Sequence, residues 1–75
     1  MPGQLPWLER DERAALLAAA LGRLPEAQRE AILLQHWHNR TLVEIAAHMG
    51  RTPRAVADLL KRGLRQLRVE MEQLR

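Results

Sequence analysis

Between Thr41 and Pro53 the chain spells out two helix beginnings and one helix end, and this punctuation constrains the fold more than any other feature. Thr41-Leu-Val-Glu44 has the spacing of a capping box, in which a threonine hydroxyl and a glutamate carboxylate reciprocally satisfy orphan amides. Gly50 supplies the freedom to take positive φ where a helix stops. After Arg51, Thr52 is a second N-cap, and Pro53 falls in a first helical turn, where its missing N–H costs nothing. The segment reads as two helices, about 41–49 and 52–74, meeting at a short turn.

The apolar spacing agrees. Leu42, Ile45, Ala46 and Met49 form the inward side of the short helix. Val56, Leu60, Gly63, Leu67, Met71 and Leu74 form one stripe along the long helix, flanked by Leu59 and Leu64. A glycine in mid-helix costs up to ~1 kcal/mol relative to alanine. Gly63 lies on the inward stripe, which predicts the close approach of another helix there.

Upstream, Asn39 is the expected left-handed stop of a helix over about 25–38, with Pro25 as its first residue. Ile32, Leu33 and Trp37 share a face of it, and Trp37 is read as a core anchor between this helix and the next. A first helix over about 9–22 carries Leu16, Leu17, Ala20 and Leu21, with Leu24 just beyond Gly22. Residues 1–8, with two prolines and a glycine, read as a flexible lead-in or linker remnant, and 9–75 as one domain. A chain of 75 residues leaves no room for a second domain. Leucine and alanine dominate, and Ile32, Val43, Ile45, Val56 and Val69 are too few to build a sheet. The fold class is all-α: a four-helix domain with a C-terminal helix-turn-helix.

Several function classes are excluded on composition. The chain has no cysteine, so neither a disulfide framework nor a thiolate metal site is available. His36 and His38 are two apart and do not share a helix face, and with His48 they find no clustered acids; no metal or other cofactor is expected. There is no serine, and the acids are scattered without a paired, desolvated setting, so no catalytic residue and no enzyme activity is expected. No apolar run approaches the ~20 residues that span a bilayer, and a cytoplasmic protein without a membrane role is expected.

Charge is distributed unevenly. Residues 51–68 hold Arg51, Arg54, Lys61, Arg62, Arg65 and Arg68 against the single acid Asp58, while the rest of the chain is slightly acidic. One cationic face suits a polyanion. If the long helix lies in a DNA major groove, Arg54, Asp58 and Lys61 point outward from its first turns and Arg51 sits at the turn beside phosphate. Arg54 can donate a bidentate pair to guanine. Asp58 can accept from a cytosine amine, or restrain Arg54 or Arg62 by an ion pair at helical spacing. Arg62, Arg65 and Arg68 are read as phosphate contacts, which raise affinity and salt dependence but not specificity.

Leu24-Pro25, Gln28-Arg29-Glu30, the aliphatic run Ile32–Leu34, Glu44-Ile45-Ala46 and the Gly50 turn occur in an order and spacing similar to region 4 of bacterial sigma factors, and most of all the extracytoplasmic-function group. The resemblance covers roughly Leu16 to Leu67. It implies a winged-helix-like plan without a wing that binds the promoter −35 element in double-stranded DNA while docked on the flap of the RNA polymerase β subunit. It further implies DNA-facing roles for Arg51, Thr52, Pro53, Arg54, Ala55, Asp58, Lys61 and Arg62, with Arg40 and Thr41 near the backbone; Arg65 completes the candidate set. Asn39 stands where the family prefers glycine, Arg40 where it often has an apolar residue, and Ala57 and Leu59 where many members are polar or cationic. His36 falls where the family often has an aromatic, which implies partial packing. The parts of a sigma factor that melt promoters lie outside this pattern.

Two other functions fit the same residues. One is the output domain of a response-regulator-type transcription factor, which dimerises through its last helix. The other is an interaction module in which the fold holds an anti-sigma factor or polymerase without reading DNA, a use suited to Ala57, Leu59 and Leu64. A monomer in isolation is expected under the sigma-like reading.

Overall fold

A computed structural model describes residues 6–74, with side chains from residue 12 onward. It contains four helices in the order α1 (Pro6–Gly22), α2 (Glu26–His36), α3 (Leu42–Met49) and α4 (Pro53–Gln73). Helix α4 is the hub: α1, α2 and α3 all pack on it, and α2 also touches α3. The fold is all-α, as the composition requires.

The core sits where these helices meet. Leu21, Leu24, Ala31, Ile32, Ile45, Ala46, Val56 and Leu60 form one buried cluster, with Leu17, Leu33, Leu34, Met49, Leu59 and Leu67 packed around it. Ile32, Ile45 and Val56 are its largest fully buried side chains, and burial of such a side chain contributes roughly 1.5–3 kcal/mol. The spacing of Val56, Leu60 and Gly63 brings all three to the buried side of α4. Gly63 is the point of closest helix approach. A Cβ there would lie 2.9 Å from Ile32 Cδ1 and 3.2 Å from Gln28 Cβ, so α2 crosses α4 over a bare backbone. Arg23 Nη1, in the α1–α2 loop, lies 3.8 Å from Glu70 Oε2 and ties that loop to the far part of α4.

Several expectations are corrected. Helix α1 begins at Pro6, so residues 6–8 are helical and not lead-in; proline's fixed φ suits a first helical turn. Residues 1–5 and the Trp7 side chain fall outside the described residues. Pro25 is the N-cap of α2, at φ −53° and ψ 144°, and not its first helical residue. Trp37 is not a core anchor: it is 54% exposed. Helix α2 ends at His36 with Trp37 as its C-cap, and Asn39 at φ 52° then reverses the chain. Trp37 therefore stands at the end of α2, beyond the buried turn that holds Ala31 and Ile32. His36, the last residue of α2, is exposed and not packed. Leu42 stands at the rim, 37% exposed, because Ile45 and Ala46 define the inward face of α3.

Candidate nucleic-acid interface

Helix α3 starts on the expected box. The Thr41 amide donates to Glu44 Oε1 at 2.9 Å, and the Glu44 amide donates to Thr41 Oγ1 at 3.2 Å. The hydrogen bond from the Thr41 amide, then that from its hydroxyl, hold the Glu44 carboxyl below its ordinary pKa, with a smaller contribution from the Arg40 charge. The helix ends on Gly50 at φ 67° and ψ 35°, the left-handed region that a side chain would strain. The Arg51 amide donates back to the Ala46 carbonyl at 2.9 Å, which closes the turn.

Helix α4 starts on Thr52, whose Oγ1 accepts from the Ala55 amide at 3.1 Å. The hydroxyl proton of Thr52 is not used in that bond and is free to donate outward. Pro53 takes the first helical position, and the first turn of α4 holds no acid. Buried Ile45 and Ala46 support this corner from below, against Val56 and Leu60. That support fixes the direction of α4 and leaves its outer face in solvent.

The candidate residues divide over four neighbouring surfaces. Thr52, Arg54, Ala55, Asp58 and Lys61 line one shallow concavity on the outer side of α4, together with Ala57. Arg62 and Arg65 line a second, with Arg23, Pro25, Gln28 and Gln66. Arg51 borders a third beside Glu26, Glu30 and His48. Arg40 lies in a crevice between α2 and α3 with Leu34, His38, Glu44, Ile45 and His48. All but Ala55 are exposed, and Pro53 and Thr41 stand at the two helix starts.

One open alternative is resolved. Asp58 pairs with Arg62, Oδ2 to Nε at 3.2 Å, and not with Arg54. Among the described residues Arg54, Lys61, Arg65 and Arg68 make no ion pair, so the outer face of α4 carries uncompensated positive charge. Sequence reasoning passed over Arg23, which joins the Arg62–Arg65 surface only because α2 folds back across α4. Ala57, which stands where many family members are polar or cationic, lines the concavity. Its small side chain leaves space between Arg54 and Lys61 that a larger residue would fill.

Chemically, this surface offers point charges, a hydroxyl donor, one acceptor carboxylate and an exposed helix start. It suits recognition of a polyanion that also presents hydrogen-bonding edges. No helix among the described residues is long and apolar enough to cross a membrane.

Comparison with known proteins bears on the same segment. The family model described as sigma-70, region 4 matches residues 14–67. An RNA polymerase sigma-E factor of Streptomyces antibioticus is 36% identical over 64 residues, which span 85% of this chain and 36% of that relative. The chain therefore spans about a third of the length of the curated relative it matches. No solved structure gives a significant match.

Proposed function

Since the chain belongs to the sigma-70 region 4 family, a family of transcription initiation, we propose that it binds promoter DNA at the −35 element while docked on the RNA polymerase β flap. The observation that carries this reading is the α3–turn–α4 corner. It has a rigid, core-supported turn, a long helix whose outer face is cationic, and a concavity where that helix begins.

In the proposed complex α4 enters the major groove by its N-terminal turns. Arg54 donates to a guanine edge, a contact that discriminates by about 1–3 kcal/mol. The Thr52 hydroxyl donates while it caps α4. Pro53 and Ala55 bring the backbone close without bulk. Lys61, Arg62 and Arg65 meet phosphate on one side, and Arg51 meets it at the turn. Arg40 and Thr41, at the start of α3, lie against the backbone of the neighbouring strand. The Arg62–Asp58 pair is an exposed one, worth no more than about 1 kcal/mol, and it engages Nε, so the Nη groups of Arg62 can meet phosphate while the pair stays in place.

A second reading has its own observation. Leu64 is 41% and Val69 40% exposed on α4, and Leu64, Leu67 and Met71 line a groove with Leu16 of α1, bordered by the charged side chains of Arg13, Arg68 and Glu72. This groove, apolar along its length and charged at its borders, lies outside the concavity at the start of α4 and suits a protein contact. Under the main reading it is where polymerase docks; under the alternative, in which the domain holds an anti-sigma factor or polymerase without reading DNA, it is the whole function.

The test is binding to a promoter pool and to shuffled duplex over a salt series. Sequence preference with a steep fall of affinity in salt supports the DNA reading. No DNA binding at low salt, with flap binding retained, leaves the interaction module. A stable dimer by gel filtration favours instead the output domain of a response-regulator-type factor.

A further inference from the structure

The cationic face of α4 contains one carboxylate, Asp58, and it stands inside the concavity, with Arg54, Ala57 and Lys61 around it. An acid at this place weakens attraction to every phosphate, whatever the sequence. Its geometry also leaves it equipped to read a base. Arg62 Nε engages Oδ2 at 3.2 Å, which favours one orientation of the carboxylate and leaves Oδ1 available as an acceptor. The side chain is 53% exposed, so a base edge can reach it.

A carboxylate accepts hydrogen bonds and donates none. In the major groove, cytosine N4 and adenine N6 are amine donors, whereas guanine presents N7 and O6 and thymine presents O4, all acceptors. Facing an amine, Oδ1 is satisfied. Facing an acceptor, it is stripped of water and set against another lone pair. Resting on the promoter-binding reading above, we propose that Asp58 is a specificity-determining residue: it selects a base bearing a major-groove amine at one promoter position and rejects guanine and thymine there. Arg62 is its positioning residue. Discrimination comes from penalising the wrong sites more than from strengthening the right one, since the same charge lowers affinity for unrelated DNA.

The test is selection from a duplex library randomised across the promoter site, with the wild-type chain, Asp58→Ala and Arg62→Gln, each checked for an unchanged thermal melt. The wild type enriches cytosine or adenine at one position by about tenfold over guanine and thymine. Asp58→Ala loses that position alone and binds shuffled duplex several-fold more tightly, while Arg62→Gln keeps the preference in weakened form. A wild type selective elsewhere but indifferent at every Asp58-sensitive position overturns the inference and leaves promoter binding standing. So does an Asp58→Ala profile identical to wild type, or complete loss of the same preference in Arg62→Gln. A wild type with no preference at any position overturns both.

Discussion

The molecule turns twice by the same device and uses the two corners differently. Asn39-Arg40-Thr41 and Gly50-Arg51-Thr52 each place a residue of positive φ, then an arginine, then a threonine N-cap. Beyond the threonine they diverge. At the first corner Glu44 completes the box and its charge faces Arg40; at the second, Pro53, Arg54 and Ala55 follow, and the first turn of α4 has no acid. The first corner satisfies itself, with Trp37 and Val43 exposed around it. The second leaves its positive helix end and its arginines for an external anion. Identical punctuation sets the geometry of a corner. The next three residues set whether it is closed or open.

The largest way to break this comparison is to remove the support both corners share. Ile45 is fully buried beneath them, and Ile45→Ala is expected to cost about 2–5 kcal/mol in chemical denaturation, with both corners lost in one transition. A smaller effect separates them. Gly50→Ala puts a Cβ at φ 67° and costs about 1–2 kcal/mol, whereas Asn39→Gly, at φ 52°, is neutral within about 0.5 kcal/mol by the same measurement. Equal costs at the two positions would mean that Asn39 contributes more than its backbone conformation.

The caps sharpen the comparison through pH. Thr52→Ala costs about 1 kcal/mol at any pH where the protein folds, because its bond joins two neutral groups. The Thr41 box depends on an ionised Glu44, whose carboxyl in the folded protein lies below its ordinary value of 4.5. Its contribution is complete above the unfolded pKa and is lost as pH falls through the folded one. The cost of Glu44→Ala therefore shrinks in acid while that of Thr52→Ala does not, as paired denaturation curves at neutral pH and below pH 4.5 would reveal. The smallest effect is Asp58→Asn, within about 0.5 kcal/mol of wild-type stability, since its partner Arg62 is an exposed i,i+4 neighbour. A larger loss would make Asp58 structural.

The elements most legible in the sequence are those whose signals are local. The Thr41 box, the Gly50 stop and the Thr52-Pro53 start depend on residues within four positions of one another, and each forms as its spacing implies. Gly63 was legible because a mid-helix glycine on an apolar stripe has few other uses, and α2 crosses there. What the sequence misjudged depends on where a helix ends and how helices pack across one another. Trp37 has the composition of a core residue, but α2 ends at His36 and leaves it beyond the buried turn of that helix. Arg23 is distant in sequence from Arg62 and Arg65, and only the packing of α2 on α4 brings it beside them. The candidate DNA contacts on α4 were readable as the outer side of one helix; the separation of Arg62 and Arg65 from the concavity, and of Arg40 in its crevice, was not, because that needs the packing of α2 and α3 on α4.

The central claim, that the open corner reads sequence while the closed one meets only backbone, is tested most directly by anisotropy titrations. These compare wild type, Arg54→Ala and Arg40→Ala on a selected promoter duplex and on its shuffled counterpart. Arg54→Ala is expected to lose most of the affinity ratio between the two duplexes, by about 5- to 150-fold. Arg40→Ala is expected to keep the ratio, weaken both complexes equally and reduce the salt slope by about one. An unchanged ratio in Arg54→Ala, or a ratio lost in Arg40→Ala instead, would contradict it.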